Sequence, residues 1–195
     1  ILGGSPTFAQ SIDKSVYQKI DQDYMPALCR ISYATEVTNT SSGETNRRAS
    51  YAMGILVSKD GLLIVHGHMQ VENRSPKKIK VTVGTGDDEK EYDAELLKKP
   101  DDINVVFLRI TTEEEVTFPY LTFDTTAKLE LGDPFLTVGL LNQNFDYART
   151  IQMHRVGAVL TDPRLTYAVD SSIAFGFIGG PVFNAKGKAI GVIGF

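Results

Sequence analysis

The sequence feature that most constrains the fold is a series of short segments rich in β-branched or alternating apolar residues, separated by turn signals. Turns such as Asp60-Gly61 and Gly132-Asp133-Pro134 fall between the segments, and no stretch between them has the period of a helix. Strands of this length joined by short turns predict an all-β barrel or sandwich. The predicted strands cover 27–33, 51–58, 62–66, 78–83, 91–97, 104–110, 135–140, 149–160, 166–169, 181–184 and 188–194.

The N-terminal part of the chain departs from this strand pattern. Within residues 13–30, Val16, Ile20 and Tyr24 recur at helical spacing. This spacing predicts a short amphipathic N-terminal helix, which Pro26 ends before the first strand.

Two other stretches are expected to lie outside the regular elements. Residues 35–50 are rich in Ser, Thr and Asn, and they predict a long exposed loop. Residues 1–12 read either as the tail of a secretory signal peptide, cleaved after Ala9, or as an unstructured start. The first interpretation predicts an exported protein, periplasmic or extracellular.

Composition excludes several classes of function. The chain has 20 Lys+Arg against 24 Asp+Glu, so its net charge is −4, which argues against a nucleic-acid partner. Its single cysteine, Cys29, excludes an intramolecular disulfide and a cysteine-based zinc cluster. No apolar run approaches the roughly 18–20 residues of a membrane span.

Five blocks of the sequence, in order, resemble those of trypsin-like serine proteases of the HtrA/Deg type. The blocks are residues 54–68 (GILVSKDGLLIVHGH), 102–110 (DINVVFLRI), 131–139 (LGDPFLTVG), 170–184 (DSSIAFGFIGGPVFN) and 187–194 (GKAIGVIG). Each block alone is a weak signal, but their order and spacing together support the fold. The resemblance covers the chain from about residue 25 to its end.

The resemblance implies two antiparallel β-barrels of the six-stranded type, with the site in the cleft between them. The protease domain would then be 13–195, with a first barrel at about 25–112 and a second at about 118–195. The polar stretch Thr111–Pro119 is the expected boundary between the barrels. One more strand and a helix would be expected after Phe195, and homo-oligomers are known among such proteins.

Carried over residue by residue, the catalytic triad of the family falls on one retained and two altered positions. The base falls on His68, the orienting aspartate on Asn104 and the nucleophile on Ile178. Isoleucine has no lone pair to attack a carbonyl, and an amide does not stabilise an imidazolium as a carboxylate does. The loop that would hold the oxyanion contains Gly176, Phe177 and Gly179.

Other residues could in principle supply the missing chemistry. Ser171 and Ser172 precede the nucleophile position, and Asp101 and Asp102 precede Asn104. A relocated triad would require all of them to be displaced by several ångströms. We therefore interpret them as turn residues that bond locally or face solvent.

The three histidines raise a weak alternative, a metal site. His66 and His68 lie two positions apart, and His154 is on a separate predicted strand. Two imidazoles and a third ligand could hold Zn²⁺ if they converge, but no motif fixes that spacing. We expect no metal and no other cofactor.

Three functions remain open at this stage. The leading interpretation is a catalytically inactive protease homologue, a pseudoprotease, that binds a protein or peptide in the inter-barrel cleft. The first alternative is an active serine endopeptidase, the normal activity of the family. The second is a structural module of an exported multidomain protein, with the cleft unused.

Overall fold

The computed structural model describes residues 11–38, 41, 45–71, 75–169, 173 and 175–194. A short helical segment leads into a closed six-stranded β-barrel, which is followed by a five-stranded sheet. The predicted all-β class is confirmed, and a closed barrel followed by a half-barrel is consistent with the two-barrel trypsin-like fold. Within the described ranges, no helix is both long and apolar enough to cross a membrane.

The predicted N-terminal helix is present but short. Helix α1 spans Lys14–Lys19, and the Asp13 side chain accepts a hydrogen bond from the backbone N–H of Ser15 at its start. A π-helical turn, Ile20–Tyr24, and a 3₁₀ turn, Met25–Ala27, continue it to the first strand. The segment packs on the core through Ile20, which is fully buried.

The barrel closes because its fourth strand pairs with its first. All of its strand pairs are antiparallel, and their order is β1-β2-β3-β6-β5-β4. The strands are β1 (Leu28–Thr38), β2 (Thr45–Leu56), β3 (Leu62–His66), β4 (Lys77–Val83), β5 (Lys90–Lys98) and β6 (Val105–Thr111). Alternate residues of β6 are buried, as expected for a strand with one face on a core.

The prediction of a long exposed loop over residues 35–50 is wrong. Strands β1 and β2 stay paired from Leu28 opposite Ile55 to Thr38 opposite Thr45, so most of this stretch is a two-stranded ribbon. The ladder is formed by backbone groups, which do not require apolar side chains, and Thr fits a pleated surface. The Arg47 guanidinium pairs with the Glu36 carboxylate across the ribbon at 3.0 Å. The polar composition of this stretch therefore indicated that it is exposed, but most of the stretch is still a pair of strands.

The second half of the chain forms an open sheet. Its order is β11-β10-β7-β8-β9, with antiparallel pairing throughout. The strands are β7 (Pro134–Leu140), β8 (Arg149–Leu160), β9 (Thr166–Val169), β10 (Pro181–Asn184) and β11 (Ala189–Val192). A six-stranded barrel was expected here; the described residues supply five strands.

The connection between barrel and sheet lies against both. Phe118 and Leu121 are buried, and their backbone N–H groups donate to the carbonyls of Lys59 and Leu56 in the barrel. Farther along, Asp124 donates its N–H to Ala189 of β11 at 2.7 Å. One apolar cluster includes residues of the barrel and of the sheet, so the two halves share a core.

Candidate functional site

A cleft of about 800 Å³ lies between the barrel and the open sheet. Its lining includes the positions that the family resemblance assigned to the base (His68), to the nucleophile (Ile178) and to part of the oxyanion loop (Gly176 and Phe177). The described residues that line it are Arg30, Tyr51, Ala52, Met53, His66, His68, Leu140, Leu141, Asn142, Gln143, Tyr147, Gly176, Phe177 and Ile178.

His68 enters the cleft from a tight turn. Strand β3 ends at His66, and the next residues, Gly67–Met69, form a 3₁₀ turn. His68 is exposed, whereas the preceding His66 is only 4% exposed. His66 is covered because it pairs with Val105 of β6 and because Gly179 packs against its backbone.

Asn104 lies beside His66. The Nδ2 atom of Asn104 is 3.2 Å from Nε2 of His66, and Nδ1 of His66 is 2.8 Å from Nδ1 of His68. His66 therefore occupies the space between the position of the orienting residue and the base. In the serine-protease arrangement the orienting carboxylate itself contacts Nδ1 of the base.

One arrangement of the ring protons satisfies three of the contacts of these two rings. The backbone carbonyl of Tyr51 accepts a hydrogen bond from the His68 imidazole. A neutral imidazole has a single N–H, so with that proton directed to Tyr51 the Nδ1 of His68 accepts from His66. Nε2 of His66 then accepts from the amide of Asn104, and the donors run in one direction from Asn104 to Tyr51.

One further contact requires the other tautomer of His66, in which Nδ1 carries no proton. The backbone N–H of His68 lies 3.3 Å from this Nδ1, and it can donate a hydrogen bond only if Nδ1 has a free lone pair. The 2.8 Å contact between the rings is the shorter of the two. In either tautomer, Nδ1 of His68 contacts His66 rather than residue 104.

Both imidazoles are held toward their neutral forms. Burial lowers the pKa of His66 from 6.5, and the neighbouring His68 and Lys99 lower it further. Burial also lowers the pKa of His68, partly opposed by its hydrogen bond to Tyr51. Either ring is therefore protonated only on acidification or when an anion binds beside it.

Gly67 allows residue 104 to approach this turn closely. The Gly67 N–H donates to the Asn104 carbonyl at 2.8 Å, and a Cβ on Gly67 would lie 1.9 Å from Oδ1 of Asn104. A side chain is excluded at this position while Asn104 stays where it is. The contact fixes the start of β6 against the turn that carries His68.

Ile178, which the family resemblance assigns to the nucleophile position, lines the cleft with a hydrocarbon side chain that is 7% exposed. The turn continues through Gly179, which has a φ of +81° and would place a Cβ 3.2 Å from Cβ of His66. The loop thus packs directly on the His66 backbone. Residue 178 itself offers no hydroxyl or thiol.

The three residues predicted for the oxyanion loop have different surroundings. Gly176 is exposed and lines the cleft, while Phe177 is 2% exposed and packs on Gly139, where a Cβ would lie 2.8 Å from its ring. The N–H of Gly179 donates to the Ile193 carbonyl at 2.9 Å. The Gly179 N–H is therefore already used in a hydrogen bond within the fold.

The alternative metal site does not assemble. His154 lies on β8 of the open sheet. Its Nε2 is 3.1 Å from the Thr137 hydroxyl, and the centre of its ring is 5.6 Å from that of Phe135. In the described part of the chain, no group of three His, Cys, Asp or Glu residues could hold a metal ion.

Of the other residues considered for a relocated triad, Asp101 and Asp102 are described, and both are exposed and do not line the cleft. The Asp102 side chain is 80% exposed and lies 4.0 Å from Arg164. Ser171 and Ser172 lie outside the described residues, as do the signal-peptide features of residues 1–10.

Two features of the cleft were not found from sequence. The first is His66 as the contact of His68, which was considered only as a metal ligand; its spacing of two residues was the available signal. The second is Arg30, whose guanidinium lies 4.2 Å from the centre of the Tyr147 ring. Nothing in the local sequence links these two residues, because they belong to different halves of the fold.

Comparison with known proteins identifies the family to which the described fold corresponds. The family described as "Trypsin-like peptidase domain" matches residues 52–192. A "Probable periplasmic serine endoprotease DegP-like" of Chlamydia trachomatis is 28% identical over 152 residues, and one of Bartonella henselae is 24% identical over 198 residues. "Serine protease HTRA2, mitochondrial" of Bos taurus is 24% identical over 206 residues.

The matches cover most of this chain but a minor part of each relative. They span 75%, 96% and 98% of this chain, and 28%, 35% and 41% of the respective relatives. The shared region is therefore the protease-like part of longer proteins.

Proposed function

This chain belongs to the trypsin-like peptidase family, in its HtrA type, and we propose that it is a member without proteolytic activity that binds a protein or peptide segment in the inter-barrel cleft. The observation that carries the proposal is the buried Ile178 at the nucleophile position, facing a base that His66 separates from Asn104.

Two independent losses support inactivity. A serine nucleophile needs a hydroxyl within hydrogen-bond reach of the base, and Ile178 offers only hydrocarbon. A base needs a group that sets its tautomer, and here the Nδ1 of His68 contacts a second neutral imidazole at 2.8 Å. In the serine-protease template, replacing the orienting aspartate by asparagine alone costs about 10⁴-fold in kcat.

The shape and lining of the cleft support binding. A volume of about 800 Å³ remains between the two halves, with Met53, Phe177 and Ile178 supplying apolar surface. Such a groove, with a few polar groups at its rim, is the usual form of a ligand site. The buried side chains on its floor are held by the core, so the groove is preformed and little ordering is needed on binding.

The relatives' names support an extracytoplasmic location for this chain as well. Two of them are described as periplasmic. We place the binding activity in the same kind of compartment.

Catalytic inactivity is tested with the purified protein. We expect no hydrolysis of casein or of ester substrates above the rate without protein. We also expect no labelling by an active-site phosphonate probe, because residue 178 has no hydroxyl to attack it. Clear phosphonate labelling or turnover would favour the active-endopeptidase alternative.

Binding is tested by titrating fluorescent extended peptides against the protein and against Ile178→Asp. A carboxylate on the cleft floor should abolish binding of apolar peptides, because burying it unpaired costs several kcal/mol. The matched control is Leu131→Asp, which places the same charge at a position that is 71% exposed and outside the cleft. Because Ile178 is buried, Tyr51→Ala at an exposed cleft position serves as a second variant, and thermal unfolding of each protein verifies folding. Equal affinity in all four proteins would refute the cleft as the binding surface.

A further inference from the structure

The charges around the cleft differ from those of the whole molecule. The chain has a net charge of −4, yet none of the described residues that line the cleft is Asp or Glu. Arg30, His66 and His68 are the basic members of this lining. Both imidazoles are held toward their neutral forms, so Arg30 is the charged side chain of this described lining. A cation in a cleft with apolar walls favours an anionic ligand, since field lines concentrate in a low-dielectric cleft.

Arg30 is held in a defined position at the cleft. It lies on β1, between Met53 of β2 and Thr82 of β4. Its Nη2 donates to the Glu89 carboxylate at 2.8 Å, and its side chain is 25% exposed. The Cζ atom of the guanidinium lies 4.2 Å from the centre of the Tyr147 ring, in the connection between β7 and β8. A cation–π contact holds the guanidinium in place without using its N–H groups as donors to an anion.

The backbone that presents Tyr147 is itself unusual. Asp146 and Tyr147 have φ angles of +50° and +51°, in the left-handed region. Asp adopts this conformation with some frequency, but for a bulky aromatic residue it is strained. Strained backbone of this kind concentrates at binding and active sites. Here it places an aromatic ring against the one arginine in the described lining of the cleft.

We propose that the cleft selects a peptide segment in which a carboxylate is flanked by apolar residues, with Arg30 receiving the carboxylate and Tyr147 holding the guanidinium in place. This inference rests on the proposed peptide-binding function and specifies its ligand. The carboxylate can belong to a Glu or Asp side chain or to a peptide C-terminus, and the two sources offer the same planar anion.

The geometry of arginine suits this role. A guanidinium has five N–H donors, and Glu89 engages Nη2 alone, so a ligand carboxylate can bind the remaining edge or displace Glu89. The apolar flanks of the peptide would lie against Met53 and Ile178, and the exposed ring of Tyr51 stands at the rim. Glu89 acts in this arrangement as an internal competitor for the arginine.

The first arm of the test varies the ligand. Three nine-residue peptides with identical apolar flanks carry a central Glu, Gln or Lys, each with an amidated C-terminus, and a fourth has the Gln sequence with a free C-terminus. We expect the Glu peptide to bind about tenfold more tightly than the Gln peptide, and the Lys peptide to bind more weakly than either. The fourth peptide reports whether a C-terminal carboxylate replaces the side chain.

The second arm varies the protein. Arg30→Gln should remove the preference for Glu over Gln while leaving the affinity for the Gln peptide within about twofold. Glu89→Gln should strengthen binding of the Glu peptide several-fold, because the competing carboxylate is gone. A purely structural Arg30–Glu89 pair would not produce opposite effects from its two partners. The matched control is Arg47→Gln, which breaks the Arg47–Glu36 pair in the same ribbon outside the cleft.

The outcomes separate this inference from the function on which it rests. If no peptide of any charge binds, the proposed binding function fails. If the Gln and Glu peptides bind equally well to the unaltered protein, the cleft binds peptides and this inference is refuted. If Arg47→Gln changes the preference as much as Arg30→Gln does, the effect comes from overall charge, and Arg30 is not the receptor of the carboxylate.

Discussion

His66 determines whether proteolytic chemistry can be restored in this site. We expect the double variant Asn104→Asp/Ile178→Ser to remain inactive, although it places a carboxylate and a hydroxyl at the two altered triad positions. In that variant the new carboxylate would contact Nε2 of His66, which now lies 3.2 Å from the Asn104 side chain. His68 would still have Nδ1 of His66 at 2.8 Å as its partner.

Adding His66→Ala should change this result. The vacated volume lies between residue 104 and His68, and a rotamer change of the exposed His68 can bring its ring toward the new carboxylate. Correct orientation of the base by a carboxylate is worth about 10⁴-fold in kcat in the serine-protease template, or about 5 kcal/mol of transition-state stabilisation. We therefore expect the triple variant to exceed the double variant by about 10³–10⁴-fold in kcat, with little change in KM.

The assay is hydrolysis of an activated ester and of casein, together with phosphonate labelling of the new serine. The matched control adds His154→Ala to the double variant, which removes a buried imidazole that bonds Thr137 and lies outside the cleft. Circular dichroism and thermal unfolding verify that each variant is folded. Equal activity of the double and triple variants would refute the argument, since His66 would then not separate the base from residue 104.

Two further predictions concern stability. Because the pKa values of His66 and His68 are lowered in the folded state, the unfolded chain binds protons first on acidification, so the free energy of unfolding should fall from about pH 7 to about pH 5. His66→Ala should flatten this dependence in urea titrations, and an unchanged slope would contradict the assignment. Separately, Gly180→Ala should destabilise the fold by about 1–3 kcal/mol, since its Cβ would lie 2.1 Å from the Val138 carbonyl oxygen. Gly191→Ala, with nothing within 4 Å of its Cβ, is the control and should change the free energy of unfolding little.

Much of the fold could be predicted from local patterns. Runs of β-branched and other apolar residues predicted strands at 62–66 and 104–110, and the structure has β3 at Leu62–His66 and β6 at Val105–Thr111. The ribbon over 35–50 could not be predicted in this way, because its strands are stabilised by pairing with each other and both faces are largely polar. A polar strand and a polar loop have the same composition, and only the partner strand distinguishes them.

The assignment of the triad positions to His68, Asn104 and Ile178 came from block order and spacing in the sequence, and it stays a prediction. Their contacts were not available. The position of one imidazole between residue 104 and His68 depends on how β3 and β6 pair and on the rotamers that burial enforces.

The sequence by itself determined that this chain has a trypsin-like fold with no nucleophile at residue 178, since the absence of a hydroxyl is a property of the residue type. Only the tertiary structure decided what the remaining groups face. It placed His66 against the base, and it placed Arg30 over Tyr147 at the edge of an apolar cleft. These contacts join residues from separate strands or from separate halves of the fold, and such proximity arises from packing rather than from local spacing.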